Sequence, residues 1–83
     1  MGITVKVRVK LFGLLPGRFP GYNSKQGLEI ELAERAKVKD LLARLELSQL
    51  RMVVVTVDGL ALKGDSELKN GSDVYVYNSI AGG

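Results

Sequence analysis

From Thr4 to Phe12 the chain reads TVKVRVKLF, placing Val5, Val7, Val9 and Leu11 on one side and Lys6, Arg8 and Lys10 on the other. A repeat of two is that of a β-strand, whose successive side chains point to opposite faces, so the segment predicts a half-buried strand, apolar inside and basic outside. The pattern returns in LEIEL, with Leu28, Ile30 and Leu32 inward and Glu29 and Glu31 outward, and the two segments are expected to pair as an open hairpin. Between them, residues 13–27 carry four glycines and two prolines, which break any regular element. This loop is far longer than the usual connection of about 2–6 residues, a length that goes with function or with mobility.

The repeat then changes. In AKVKDLLARLEL, Val38, Leu41, Leu42 and Leu45 fall at i, i+3, i+4 and i+7, with Lys37, Lys39, Asp40 and Arg44 opposite, which predicts an amphipathic helix of about three turns. Ala36 and Lys37 stand where Ser, Thr, Asp or Asn would normally cap its start. The β-branched run RMVVVTV ends in Asp58-Gly59, a dipeptide suited to a type I′ turn, and leads into LAL. Asn70-Gly71 opens another turn before a last strand, DVYVYN. The expected order is ββαβββ, an α+β domain in which one helix covers one face of a sheet. The chain divides into a single domain, 1–78, and a flexible C-terminal Gly-Gly tail, 79–83.

Composition narrows the chemistry. The 83 residues are 46% hydrophobic and 25% charged, as in a folded domain with one modest core and no room for a deep active site. There is no histidine and no cysteine, which removes the commonest general base, the strongest nucleophile, the usual zinc ligands and any disulfide. Catalysis by this chain alone and a resident metal are therefore not expected. Asp58, Asp65, Glu67 and Asp73 lack the spacing of a calcium loop. No Gly-Lys-Ser/Thr follows Gly13, Gly17 and Gly21, so they read as loop residues and not as a phosphate cradle. No stretch approaches the roughly 18 apolar residues of a membrane span. The N-terminus alternates where a signal peptide would be continuously apolar. A soluble, cytoplasmic protein without membrane partners is the expectation.

Two features could carry function. With Val74 and Val76 facing the core, the uncovered sheet face would gather Lys6, Arg8 and Lys10 with Tyr75, Tyr77, Val54 and Thr56, a mixture suited to docking a partner. Such residues also occur on any solvated sheet face for solubility and β-propensity. The second feature is the ending, Ser79-Ile80-Ala81-Gly82-Gly83, whose glycines have nothing to hold them down.

The ββαβββ order, the Asp-Gly turn, LKNGSDVYVY and the final Gly82-Gly83 together resemble the ubiquitin-like sulfur carriers, namely the small subunit of molybdopterin synthase and the thiamine sulfur carrier. The family's L-x-x-G-D-x-V lead into the last strand is matched by Leu68, Gly71, Asp73 and Val74, with Ser72 inserted. The resemblance implies a ubiquitin-like β-grasp fold with a mixed sheet. It also implies a carrier and not an enzyme: an E1-like adenylating enzyme would activate the Gly83 carboxylate with ATP, and a sulfur donor would convert it to a thiocarboxylate. An acceptor such as the molybdopterin synthase large subunit would then take the sulfur. Gly82 would give access to the partner's channel, and Ser79, Ile80 and Ala81 would form the arm. No cofactor would be bound by the chain itself, the ATP being used by the partner. The length favours molybdopterin over thiamine biosynthesis. A protein modifier conjugated through Gly83 would use the same tail. An RNA-binding sheet built on Lys6, Arg8, Lys10, Tyr75 and Tyr77 is a reading of another class, against which a net charge of +3 is modest. A structural domain with a functionless tail is the fourth.

Overall fold

The computed structural model describes residues 3–49 and 53–78. Strand β1 (Thr4–Leu11) pairs antiparallel with β2 (Leu28–Ala33), setting Val5, Val7 and Val9 opposite Leu32, Ile30 and Leu28. Apolar parity thus meets apolar parity, which is what locks the register, since a slip of one residue would turn every side chain over. Helix α1 (Val38–Arg44) follows, then β3 (Val53–Val57), β4 (Leu60–Leu62) and β5 (Asp73–Asn78). The five strands form one sheet in the order β2-β1-β5-β3-β4. It is mixed: β1 and β5 run parallel, while β5 with β3 and β3 with β4 are antiparallel. Asp58 and Gly59 both have positive φ, +55° and +80°, the backbone of the expected type I′ turn between β3 and β4.

The core lies between the inner sheet face and α1. Val7, Val9, Leu41, Val55, Val74 and Val76 are all buried, and no polar or charged side chain is buried among the described residues. At roughly 1.5–3 kcal/mol for each fully buried Val or Leu side chain, apolar burial is what opposes the entropy of ordering the chain. The one ion pair among the described residues, Lys39 to Asp65 at 3.8 Å, is exposed and contributes little.

Residues 13–27 form a structured connection. A short 3₁₀ helix, Leu15–Arg18, drives Leu15 into the core, where it is 1% exposed. Alternate residues of β1 turn their backbone toward β5, as in the bonds from Arg8 N to Ser72 O and from Phe12 N to Val76 O. The N–H of Leu11 therefore faces the β2 side, and β2 begins opposite Val9. The hydroxyl of Tyr22 fills the gap, accepting from Leu11 N at 2.9 Å. Asn23 Oδ1 tightens the next turn by accepting from Lys25 N at 2.8 Å and Gln26 N at 3.3 Å.

The helix has seven residues, shorter than the expected three turns, and its start has no side-chain cap on the helical N–H groups. Asp40 accepts from the N–H of Lys37 at 2.8 Å, but a lysine ammonium has no acceptor with which to reciprocate. The first helical N–H groups are taken instead by the later loop: Val38 N bonds Ser66 O at 2.9 Å and Lys39 N bonds Gly64 O at 3.0 Å. At the other end Glu46 adopts φ +59°, and bonds from Glu46 N to Ala43 O and from Leu47 N to Leu42 O close a Schellman motif. The reversal buries Leu47 to 1% exposure, and Leu42 is left half-buried.

Two substitutions test these features by urea denaturation. Tyr22→Phe removes the acceptor from Leu11 N–H and should cost about 1–2 kcal/mol. Glu46→Gly removes the penalty of a left-handed backbone at a non-glycine residue and should stabilise by about 0.5–1 kcal/mol.

Candidate partner-binding face

The outer sheet face is set by the same alternation that fills the core. Across the strands, Lys10 stands opposite Tyr75, Tyr75 opposite Thr56, and Tyr77 opposite Val54, so the expected residues share one face. Val54, Tyr75 and Tyr77 remain 43%, 37% and 39% exposed, large fractions for apolar and aromatic side chains. Thr56 and Lys10 beside them are half-buried.

Phe12 completes the group, although the sequence reading had not singled it out. Its ring stacks on Tyr77 at 4.8 Å between centroids with planes 14° apart, and tilts against Tyr75 at 5.6 Å and 51°. The signal was available: alternation carried one residue past Leu11 places Phe12 on the side of Lys10. Arrangements of this kind add about 0.5–1.5 kcal/mol beyond area burial. They also present a continuous, partly desolvated surface suited to anchoring a partner.

Lys6 and Arg8 lie on the same face as Lys10, farther along β1 from the rings. Lys6 faces Glu31, and Arg8 lies between Glu29 on one neighbouring strand and Asp73 on the other. Glu31 in turn accepts from the Thr4 hydroxyl at 2.8 Å. The field of these bases is offset by acids one strand away, leaving Lys10 alone beside the aromatics. The face has two halves, a mixed-charge array and an apolar end.

The apolar end sits where β5 ends at Asn78. Ser79, Ile80, Ala81, Gly82 and Gly83, the expected arm and reacting residues, lie outside the described residues. The segment leading into β5 is bound along β1: Asn70 Oδ1 accepts from Lys6 N at 2.8 Å, Gly71 N donates to Lys6 O at 2.7 Å, and Arg8 N donates to Ser72 O at 2.9 Å. Ser72 thereby extends the parallel pairing toward the turn. Leu68 and Val74, matched to the carrier motif, are buried core residues. Among the described residues no cluster of His, Cys, Asp or Glu could hold a metal ion, and no helix is long and apolar enough to cross a membrane.

The architecture can be compared with solved structures. A Pyrococcus furiosus protein assigned as molybdopterin converting factor, subunit 1, superposes with a TM-score of 0.71 at 29% identity, over 92% of this chain and 99% of that one. The fold is the ubiquitin-like β-grasp. The small archaeal modifier protein 1 of Haloferax volcanii gives a TM-score of 0.71 at 14% identity over 92% and 99% of the two chains. A ubiquitin of Caldiarchaeum subterraneum gives 0.65 at 19% identity over 98% and 100%. No protein-family model and no curated protein sequence matches the chain. This β-grasp chain is thus similar to ubiquitin-like carriers and modifiers alike, and its sheet carries an aromatic end beside the exit of β5.

The ring cluster is open to a double-mutant cycle. Phe12→Leu and Tyr77→Leu, separately and together, should reveal a coupling of about 0.5–1 kcal/mol in unfolding free energy. Strict additivity would mean that the stacked rings do not act as a unit.

Proposed function

We propose that this chain is a sulfur carrier whose terminal Gly83 carboxylate is activated by adenylation and converted to a thiocarboxylate, in molybdopterin rather than thiamine biosynthesis. The observation that carries the reading is a ubiquitin-like β-grasp whose last strand runs directly into Ser79-Ile80-Ala81-Gly82-Gly83. The greater sequence identity to the molybdopterin converting factor protein, 29% against 14% for the archaeal modifier, supports a carrier over a modifier.

The chemistry follows from the residue types. A carboxylate is a poor acceptor for a nucleophile. Its oxygen attacks the α-phosphorus of ATP, pyrophosphate leaves, and the acyl adenylate now carries AMP as a leaving group. Sulfur delivered at the sulfide level attacks the acyl carbon, the bond to the AMP oxygen breaks, AMP leaves, the S–H proton goes to solvent and the thiocarboxylate remains. Each step takes place on the partner, an E1-like adenylating enzyme followed by a sulfur donor, and the product goes to an acceptor such as a molybdopterin synthase large subunit. This chain contributes a terminus that nothing on Gly82 or Gly83 prevents from threading into a channel. It also contributes the face of Phe12, Tyr75, Tyr77 and Val54 on which a partner docks, with Thr56 and Lys10 at its border. Lys6 and Arg8 act mainly on encounter rate, as rim charges do. The ATP belongs to the activating partner and no cofactor is held by the carrier.

Conjugation to protein lysines is the second reading, favoured by the likeness to the archaeal modifier and to ubiquitin. RNA binding finds no support in a face whose Lys6 and Arg8 alternate with Glu29, Glu31 and Asp73.

Incubation with ATP, an E1-like enzyme and a sulfur source, followed by mass spectrometry, should replace one terminal oxygen of the peptide ending in Gly83 by sulfur. A chain found joined to a lysine of another protein would support the modifier instead, and a tail of unchanged mass would remove both readings. Deletion of Gly82 and Gly83 should abolish the modification without moving the urea midpoint. Tyr77→Ala should weaken association with the adenylating enzyme by about 1–3 kcal/mol.

A further inference from the structure

Phe12, the residue after β1, donates its N–H to Val76 O at 3.0 Å and lays its ring on Tyr77, so the last residues of β5 are held from the end of β1. The next residue of the β1 side, Gly13, has φ +70°, and a methyl group built on it would stand 2.8 Å from the carbonyl oxygen of Asn78 and 3.7 Å from the Asn78 Cβ. Real Cβ atoms do not approach a backbone oxygen so closely. The absence of a side chain at residue 13 is what lets the last peptide of β5 lie against the corner where β1 ends.

Gly21, in the same connection, makes the comparison. It too has positive φ, +81°, yet a methyl group there would meet nothing within 4 Å. Backbone conformation alone accounts for glycine at 21. At 13 there is a second requirement, and it points at Asn78.

We infer that Gly13 is a positioning residue for the C-terminal segment: its bare backbone seats the Asn78 carbonyl and so sets the direction in which the chain leaves the sheet relative to the Phe12–Tyr75–Tyr77 face. A peptide unit is planar, so holding a carbonyl also holds the bond that leads out of that residue. Residues 79–83 span at most about 17 Å when extended, at roughly 3.4 Å each. A partner that grips the aromatic face must find the terminal carboxylate within that reach and on the correct side. Displacing the Asn78 carbonyl to make room for a methyl group draws on the same short reach. A misplacement of about 1 Å at a reacting group can lower a rate by up to about 100-fold. The inference rests on the carrier reading above and assigns a role to a residue that never meets the substrate.

The test compares Gly13→Ala with Gly21→Ala in the full-length chain, using exchange of radiolabelled pyrophosphate into ATP by an E1-like enzyme that adenylates the wild-type protein. Both variants carry the strain of a left-handed backbone, and both should lose stability in urea. Only Gly13→Ala should lower kcat, by about ten-fold or more, with KM close to wild type because the docking face is intact. In nuclear magnetic resonance spectra, only Gly13→Ala should shift the amides of Tyr77 and Asn78 and the residual dipolar coupling of the amide after Asn78. Wild-type kcat in Gly13→Ala, or an equal loss in both variants, would overturn the inference. If the wild-type chain supports no exchange with any adenylating enzyme of its source organism, the carrier reading itself fails, which shows before any variant is compared.

Discussion

The parallel pairing of β1 with β5 is the contact on which the rest of the molecule depends. It joins the first strand of the domain to the last, setting Val9 against Val74 and Leu11 against Val76 in the centre of the core. Parallel strands cannot be joined by a tight turn, and everything between residues 12 and 72 must cross from one end of the pair to the other. The long connection, β2, the helix and the β3–β4 hairpin are the content of that crossing. On the outer side the pairing brings Lys10 beside Tyr75 and Phe12 onto Tyr77, and at its end it brings Gly13 against Asn78. The proposed docking face and the exit of the C-terminal segment are consequences of one register.

With an apolar core and one exposed ion pair among the described residues, what specifies the fold is the satisfaction of backbone groups at places where regular structure stops. Tyr22 serves Leu11 beyond the end of β2, the carbonyls of Ser66 and Gly64 serve the start of α1, and Asn70 serves Lys6. Each of these links a loop to a distant element. A buried N–H without a partner costs about as much as a good hydrogen bond contributes, so such pairings determine where loops settle without supplying the main driving force.

The division of the outer face gives the candidate site its character. Acids on β2 and β5 alternate with Lys6 and Arg8, keeping that half hydrated and resistant to edge-to-edge association. The other half exposes rings and a valine where a monomer would ordinarily place polar groups. The exposed rings lie beside β5, next to the point where the strand ends at Asn78.

Much of this was legible in the residues. The parity of β1, β2 and β5, the i, i+3, i+4, i+7 spacing of Val38, Leu41, Leu42 and Leu45, and Asp58-Gly59 before LAL each state a local preference strong enough to survive folding, because side-chain direction and turn conformation are decided within a few residues. The position of Val54, Thr56, Tyr75 and Tyr77 on one face followed from the same parity. The sheet order, the burial of Leu15 within a loop broken by glycine and proline, the short helix ended by Glu46, and the acids that offset Lys6 and Arg8 were decided only by tertiary structure. Parity says which face a residue takes and nothing about which strand lies beside it. The first helical N–H groups of α1 are taken by the carbonyls of Ser66 and Gly64, partners far away in sequence. A glycine held against Asn78 cannot be told from one that merely turns the chain until both lie in the same structure.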